Sequence, residues 1–413
     1  MKKFATALLF LFVAHAAVAA QVSSKKGDDA ATLRRKTFEK AWEIVRDEFY
    51  DPSFNGVDWN KTRERYAPQV AAAKTDAELY ELLNRMLSEL KVSHMGVVTP
   101  DTLKQMTAPP VTTGLGLRNV EGRVVVTRVL PGSSAEREGI RPGFAVERVG
   151  GAAVKDLDDA LGKLHGAPNT KVVVNFLGER DEAREVTLQR MPLGRGEVAH
   201  SSDGKFSLYA LFEARRLEGG VGYIRFTQFI PALDKKIAEA VASMLDAPGL
   251  IIDLRGNGGG DDSVAIKLAN QLFDKPTQLM VARTRKGEDF YYKANPSKRP
   301  YLGPVVLLVD GASGSASEQL AAGLQESGRA YVVGNVTAGD DMDAELEELP
   351  TGAYLIYASG LPHTPKGAVV EGHGVKPDLE VNLTRAALLR GEDAQFDAAL
   401  RYIQSRNTSK GNH

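Results

Sequence analysis

The sequence contains no cysteine among its 413 residues. This absence excludes disulfide bonds, thiolate nucleophiles and cysteine-ligated metal sites. An excess of charge of one sign is also missing, since Lys and Arg total 52, Asp and Glu total 53, and the formal net charge is −1. No long basic run occurs, which argues against a nucleic-acid surface. The composition therefore favours a globular protein that acts on a peptide or a small molecule, and we assign neither a metal nor a cofactor.

Long apolar runs are equally scarce. Lys2 and Lys3 precede an apolar run over residues 4–13, and Ala17–Ala19 supplies a small-x-small cleavage pattern. The run is shorter than the ~20 apolar residues that a membrane-spanning helix needs. We therefore predict a signal peptide over residues 1–20, export to the periplasm or the medium, and no membrane span after cleavage.

The remaining residues change pattern along the chain. Apolar residues at helical spacing predict a helical N-terminal module over residues 21–108. Short β runs between glycine and proline turns predict a mostly β domain over residues 109–193. Apolar strands that alternate with helices predict a core over residues 194–395, built on a largely parallel sheet, and residues 396–413 form a polar tail. The predicted fold class is α/β, in several domains.

Two segments of the core carry residues suited to catalysis. VDGASGSASEQLAAGL, Val309–Leu324, places Ser315 between a strand pattern and a helix pattern, where unpaired backbone N–H groups favour negative charge. DLRGNGGG, Asp253–Gly260, follows another strand pattern and can present backbone amides at the same sheet edge. Each segment taken alone also fits a helix cap or a turn. Together they indicate a nucleophile with an oxyanion hole.

Acidic residues follow both segments. Asp261 and Asp262 either cap the next helix or meet a substrate amine. The run DDMDAELEELP after Gly339 is predicted to be a solvated acidic loop, because it lacks the spacing of a calcium-binding loop.

The β domain contains a candidate peptide-binding loop. Its backbone N–H groups can bind a carboxylate, and the strand that follows offers an edge to an added peptide strand. The stretch GSSAEREGIRPGFAVERVGG further along resembles a PDZ domain, and in that case Leu157, Leu161 and Leu164 line the side-chain pocket. The alternative is a structural domain that binds nothing tightly. The loop residues are Gly114, Leu115, Gly116 and Leu117.

The order of motifs in the core resembles one family. The segments are GYIRFTQF, LIIDLRGNGGG, GASGSASEQLAAGLQESGRAYVVGNVTAG and TPKGAVVEGHGVKPDLEV. They follow in the order of the tail-specific, or C-terminal processing, serine peptidases of family S41, and the resemblance covers nearly all of the chain after residue 20. It implies a ClpP/crotonase-like spiral core and an acyl-enzyme formed by Ser315. It also implies oxyanion amides from Ala316 and from Gly258 or Gly259.

The sequence departs from this family at the general base. The family's lysine, in a T-x-G-K motif twenty-five positions after the serine, falls on Asp340 here, and no lysine or arginine occurs between Asn335 and Tyr354. A carboxylate with a reference pKa of ~3.9 is a poor base for a serine hydroxyl. A standard Ser/Lys dyad is therefore excluded.

A histidine-based site in the same superfamily offers a replacement. Tricorn-like peptidases combine the serine with a histidine that follows another serine, and with a glutamate near the end of the core. These positions match His94, Ser93 and Glu371. His94 would accept the Ser315 proton, while Glu371 would orient the imidazole directly or through Ser93. His373 remains a competing base.

Two classes of function remain open at this point. The first is an exported serine peptidase that cleaves proteins or peptides through Ser315, with substrates captured by their C-termini. The second is a catalytically inactive relative that binds peptides as an adaptor. The intact serine and glycine motifs favour the first, and Asp340 favours the second.

Overall fold

A computed structural model describes residues 29–107, 110–193, 196–200, 207–287 and 289–408. The predicted signal peptide lies outside these residues. Within the described ranges, no helix combines the length and the apolar character needed to cross a membrane.

The helices and strands have the following bounds. The α-helices are α1 (Ala30–Glu48), α2 (Trp59–Ala72), α3 (Asp76–Ser88), α4 (Pro100–Thr107), α5 (Ser134–Arg137), α6 (Leu157–Leu164), α7 (Asp234–Ala242), α8 (Asp262–Asn270), α9 (Ala316–Glu326), α10 (Arg385–Leu389) and α11 (Ala394–Thr408). The strands are β1 (Gly96–Val98), β2 (Val111–Thr112), β3 (Leu115–Val120), β4 (Arg123–Val129), β5 (Ala145–Val149), β6 (Ala152–Ala153), β7 (Lys171–Leu177), β8 (Ala183–Gln189), β9 (Met191–Pro192), β10 (Glu197–His200), β11 (Ser207–Ala210), β12 (Phe212–Arg216), β13 (Gly222–Phe226), β14 (Leu250–Asp253), β15 (Thr277–Thr284), β16 (Asp289–Ala294), β17 (Val305–Val309), β18 (Tyr331–Gly334), β19 (Asp343–Glu348), β20 (Tyr354–His363) and β21 (Leu379–Glu380).

The chain forms two compact units whose limits differ from the predicted domains. Within the described ranges, the first takes in residues 29–107, 197–332 and 336–378, and the second takes in residues 110–196, 333–335 and 379–408. The C-terminal residues therefore belong with the β domain. The predicted tail is also corrected, because α11 runs to Thr408. Its buried side chains are Gln395, Ala398, Ala399 and Ile403.

A largely parallel sheet organises the first unit. Its strands run β12-β13-β14-β17-β18, with β13, β14 and β17 parallel and β12 antiparallel to β13. The apolar runs of β14 and β17 are fully buried, as expected of strands covered on both faces. The carboxyl ends of these two strands lead into the glycine segment and the serine segment.

A second sheet in the same unit supports the N-terminal helices. Its order is β1-β20-β15-β16, and β19 pairs with β20. The Thr75 hydroxyl accepts from the Glu78 N–H at 3.2 Å and starts α3, whose Leu79, Leu83 and Met86 are buried at helical spacing. These side chains share one hydrophobic cluster with β20 residues such as Leu355. The predicted helical module is therefore part of a continuous core.

The second unit is a small β domain. Its sheet runs β3-β4-β5-β7-β8, so that β3 is an edge strand, and α6 packs near β3 and β5. Leu117, Phe144 and Phe176 lie in its core. The mixed α/β multidomain class predicted from the sequence is confirmed.

Candidate active site

Ser315 has the backbone conformation of a strained nucleophile. It precedes α9 with φ 51° and ψ −125°, a region that residues with a side chain rarely adopt. Its exposed fraction is 4%, and its N–H donates to the Asp340 carbonyl at 2.9 Å. Sharp strand-to-helix turns of this kind present a serine hydroxyl at a sheet edge in other hydrolases. The fold therefore holds Ser315 in a geometry suited to attack.

The glycine segment lies directly against this turn. The Gly314 N–H donates to the Asn257 carbonyl at 3.1 Å, and the Ser317 hydroxyl donates to the same oxygen at 2.7 Å. Gly259 has φ +109°, and a Cβ there would lie 2.7 Å from the Ser315 Cβ. Only glycine fits this position, because a side chain would enter the space beside the nucleophile.

The backbone amides distinguish the two oxyanion candidates. The Gly259 N–H donates to the Asn257 side-chain oxygen at 3.0 Å and is already engaged. Within the described residues, neither the Gly258 nor the Ala316 N–H donates to a protein acceptor. Gly258 and Ala316 are therefore the better pair of donors for a developing oxyanion.

Glu318, in the first turn of α9, holds the loop that passes the nucleophile. One carboxylate oxygen accepts from the Thr337 hydroxyl and from the Gly339 N–H at 2.7 Å. The other accepts from the N–H groups of Asp340 and Ser315, at 3.0 and 3.2 Å. Burial raises the pKa of Glu318 to about 7, against the lowering effect of these donors. Sequence reasoning did not identify this residue, although the S-A-S-E motif contains it.

A hydrogen-bonded chain joins Glu371, Ser93 and His94. The Ser93 N–H donates to Glu371 Oε1 at 2.6 Å, and its hydroxyl donates to Oε2 at 2.8 Å. The same hydroxyl lies 2.7 Å from His94 Nδ1. Since its only proton is given to Glu371, the Ser93 oxygen accepts from Nδ1–H, which leaves Nε2 with its lone pair. Burial lowers the pKa of His94 to about 4, so the ring is neutral at neutral pH.

One short segment connects this chain to the nucleophile. The Asp340 carbonyl accepts from Ser315, the Asp341 N–H donates to Glu371 Oε2 at 2.8 Å, and the next N–H, of Met342, lies 3.4 Å from the Ser93 hydroxyl oxygen. Among the described residues, the Ser315 hydroxyl makes no hydrogen bond to His94. Catalytic hydrogen bonds are often loose without substrate and tighten when it binds.

Neither His373, the other candidate base, nor Asp340, at the position of the family lysine, has the environment of His94. His373 is exposed, and its Nδ1 contacts the Glu371 carbonyl at 2.9 Å. Asp340 is half-buried and takes part through its backbone, because its N–H bonds to Glu318 and its carbonyl to Ser315. Neither observation supplies a base comparable with the buried, neutral ring of His94.

The acidic run after Gly339 is not the solvated loop that the sequence indicated. Residues 343–348 form β19, which pairs with β20, and Asp341 and Met342 have exposed fractions of 0%. The alternation of acidic and apolar residues from Asp343 to Leu346 has the period of a strand with one buried face. That period was the available signal, and net acidity obscured it.

Comparisons with known proteins identify relatives of this chain among the peptidases. Residues 220–381 match the model of peptidase family S41, and residues 31–88 match that of the Tricorn protease C1 domain. The chain is 29% identical over 385 residues to a carboxyl-terminal-processing protease of Synechocystis sp., a match that covers 90% of this chain and 87% of that protein. It is 28% identical over 370 residues to a chloroplastic carboxyl-terminal-processing peptidase of Arabidopsis thaliana, covering 84% and 69%.

Solved structures of peptidases also align with most of this chain. A photosystem II D1 C-terminal processing protease aligns with a TM-score of 0.59 and 27% identity, over 88% of this chain and 98% of that one. The crystal structure of the tricorn protease aligns with a TM-score of 0.54 and 18% identity, over 92% of this chain and 37% of that one. The second likeness concerns the fold alone.

Proposed function

We propose a reaction for this chain from one premise: it belongs to peptidase family S41 and is a serine-type hydrolase related to the carboxyl-terminal processing proteases. In this reaction Ser315 attacks a peptide carbonyl and forms an acyl-enzyme. His94 Nε2 takes the Ser315 proton and later gives it to the leaving amine. Water then attacks the acyl carbonyl and gives a proton to His94 Nε2. His94 returns this proton to the Ser315 oxygen as the acyl group leaves as a carboxylic acid.

The observation that carries the proposal is the Glu371–Ser93–His94 chain. The half-buried carboxylate at the end of this chain stabilises the imidazolium that forms when His94 accepts a proton, and Ser93 holds the tautomer that leaves Nε2 free. Nothing in this scheme requires a lysine. The Gly258 and Ala316 N–H groups stabilise the oxyanion of the tetrahedral intermediate.

Substrate capture is the second part of the proposal. The helix α6 contacts the edge strand β3, where Leu115 is half-buried, and Leu161 on α6 is 43% exposed. An extended peptide adds to such an edge through main-chain hydrogen bonds. Its terminal carboxylate meets N–H groups of the loop after Gly114, whose own N–H already donates to the Thr112 hydroxyl at 2.9 Å. We propose that the β domain works as a PDZ domain that selects protein substrates by their C-termini, after export from the cell.

The experiment is labelling of the purified chain, without residues 1–20, by a fluorophosphonate, together with digestion of an unstructured peptide. Wild type should react, and Ser315→Ala and His94→Ala should each lose at least 10³-fold in rate, as removal of a nucleophile or its base does elsewhere. Ser93→Ala should lose less, because it orients the base without taking the proton.

Asp340→Lys is the matched test of the alternative mechanism. An unlabelled wild type that gains reactivity with Asp340→Lys would show a defective Ser/Lys site, and would overturn the role of His94. A wild type that stays unlabelled yet binds C-terminal peptides would indicate the adaptor instead.

A further inference from the structure

Three serines alternate in the segment that leads into α9. Ser313, Ser315 and Ser317 stand two positions apart in GASGSASE, and the proposed reaction uses Ser315 alone. Ser313 and Ser317 both have exposed fractions of 0%. A buried hydroxyl is unfavourable unless it is hydrogen-bonded, so the partners of these two outer serines indicate their role.

Each outer serine donates to a backbone carbonyl of the glycine segment. The Ser313 hydroxyl donates to the Leu254 carbonyl at 2.8 Å, across 59 positions of the chain. The Ser317 hydroxyl donates to the Asn257 carbonyl at 2.7 Å, across 60 positions. One of these serines precedes Ser315 and the other follows it. The two hydrogen bonds therefore fasten the turn at Ser315 to the glycine segment on both sides of the nucleophile.

The two carbonyls are the first and the last of a single turn. The Asn257 N–H donates to the Leu254 carbonyl at 3.0 Å, so residues 254–257 form a hydrogen-bonded β-turn. Between these carbonyls, the Gly256 N–H donates to Asp310 Oδ1 at 2.9 Å. The serine segment therefore holds this turn at three points, in addition to the turn's own hydrogen bond.

The last carbonyl of the turn is coupled to a proposed oxyanion donor. Because a peptide unit is planar, the Asn257 carbonyl and the Gly258 N–H move as one body. The carbonyl accepts from the Gly314 N–H at 3.1 Å and from Ser317, and these two bonds fix the direction of that N–H. The other proposed donor, the Ala316 N–H, belongs to the residue before Ser317. The Ser317 hydrogen bond therefore joins the two donors, and donors stabilise an oxyanion most when they are held in place before the reaction.

We propose that Ser313 and Ser317 are positioning residues, which set the distance and the orientation between the two oxyanion donors while Ser315 carries out the attack. The inference rests on the proposed function, because it concerns the oxyanion that forms when Ser315 attacks a carbonyl. It assigns a separate role to each serine of the alternating motif. The middle serine reacts, and the outer two hold the glycine segment against it.

Ser317→Ala is the direct test of this role. The Asn257 carbonyl keeps its bond from Gly314, so the protein should fold. We expect kcat to fall about tenfold with KM unchanged, which is less than the roughly 10²–10³-fold that loss of an entire donor costs. A peptide aldehyde, whose adduct with Ser315 carries an oxyanion, should bind about tenfold more weakly than to wild type. The matching peptide alcohol forms no adduct and should bind both proteins equally.

Two further substitutions complete the kinetic test. Ser327→Ala is the matched control, because the Ser327 hydroxyl donates to the Gly323 carbonyl at 2.7 Å near the other end of α9, and it should change neither kcat nor the affinity for the aldehyde. Ser313→Ala should lower kcat and also destabilise the protein, since the buried Asp310 N–H, which donates to the Ser313 oxygen at 3.0 Å, loses this acceptor. Wild-type kcat and aldehyde affinity in Ser317→Ala overturn the inference.

Hydrogen exchange separates this inference from the proposed function, because it requires no activity. In mass spectrometry, amide hydrogens of residues 253–262 should exchange faster in Ser317→Ala than in wild type or Ser327→Ala, while those of α3 change little. An unreactive wild type with this exchange pattern retains the positioning role and contradicts only the proposed chemistry. A reactive wild type whose glycine segment exchanges equally in all three proteins retains the chemistry and overturns the positioning role. Equal exchange with an unreactive wild type overturns both.

Discussion

At the scale of single residues, His94 has the most testable property, because burial moves its pKa from 6.5 to about 4. The residue is only 8% exposed, so its charged form is poorly solvated. In the proposed mechanism, its neutral form accepts the proton from Ser315. Burial therefore makes the base available at lower pH than an exposed histidine would be.

The acidic limb of the pH profile should report this shift. We expect kcat/KM of the free enzyme to fall with an apparent pKa near 4 rather than near 6.5, measured with an uncharged peptide substrate. A limb near 6.5 would contradict the assignment of a buried His94 as the base.

The lowered pKa of His94 should also make the free energy of unfolding depend on pH. A group whose pKa is lower in the folded than in the unfolded state favours folding above pH 6.5, and this contribution is lost as pH falls toward 4. A shift from 6.5 to about 4 corresponds to roughly 3 kcal/mol at most. Denaturant titrations of wild type and His94→Gln between pH 4 and 7 measure the contribution of His94. Glu318 and Asp343 titrate in both proteins, so their contributions cancel in the difference.

At the scale of elements, the loop between β18 and β19 connects the Ser315 turn to the Glu371–Ser93–His94 chain. The Glu318 carboxylate accepts from four donors, three in this loop and one at Ser315, just before α9. The next residues of the loop contact Glu371 and Ser93. The loop thus sets the nucleophile and the base relative to each other. A lysine at position 340 is not needed for that structural role, because backbone groups make the contacts.

Glu318→Gln should therefore damage both stability and activity. Its amide nitrogen would face N–H donors in place of an acceptor, which should lower the free energy of unfolding by about 1–3 kcal/mol and lower kcat, because Ser315 loses its fixed backbone. Glu326→Gln, on the same helix, is the control, since Glu326 accepts from the Lys366 N–H alone at 3.0 Å. Equal effects of the two substitutions would show that the hydrogen bonds of Glu318 to the loop do not stabilise the protein more than those of another glutamate on α9.

At the scale of the whole molecule, the C-terminal segment belongs to the β domain. Within that unit, Leu388 is buried against Val120, Val125 and Ala145, and Arg385 donates to the Gly143 carbonyl at 2.8 Å and to Asp181 at 2.6 Å. A cation that bridges two loops, combined with an apolar contact, fixes α10 on the sheet. The segment is thus a structural part of the domain that is proposed to hold the substrate's end.

Deletion of residues 384–413 should destabilise the β domain selectively. Loss of one buried leucine costs about 2–5 kcal/mol, so amide hydrogens of β3, β4 and β5 should exchange markedly faster, while those of β14 and β17 change little. A chain that ends at Thr408 retains these contacts and is the control. Uniformly faster exchange in both units would show instead that the segment supports the entire protein.

Several features followed from the sequence for local physical reasons. The period of apolar residues and the glycine and proline positions determined the helical module, the β domain and the alternating core, and the S-A-S-E and glycine motifs identified the family. Local patterns are sufficient here because a buried strand or an amphipathic helix is determined mostly by residues within ten positions of each other. Net acidity misled the interpretation of residues 340–350, since composition was weighed above the period of a strand.

Only the tertiary structure decided how distant residues meet. Ser93 and Glu371 lie 278 positions apart, yet two hydrogen bonds join them, and the backbone of residues 340–342 connects them to Ser315. The choice of Gly258 over Gly259 and the bonds of Glu318 likewise depend on which atoms the fold brings within about 3 Å of each other. Residue types and their order therefore predicted the nucleophile and the family, whereas the proposed base and the proposed oxyanion donors depend on long-range packing that no local pattern encodes.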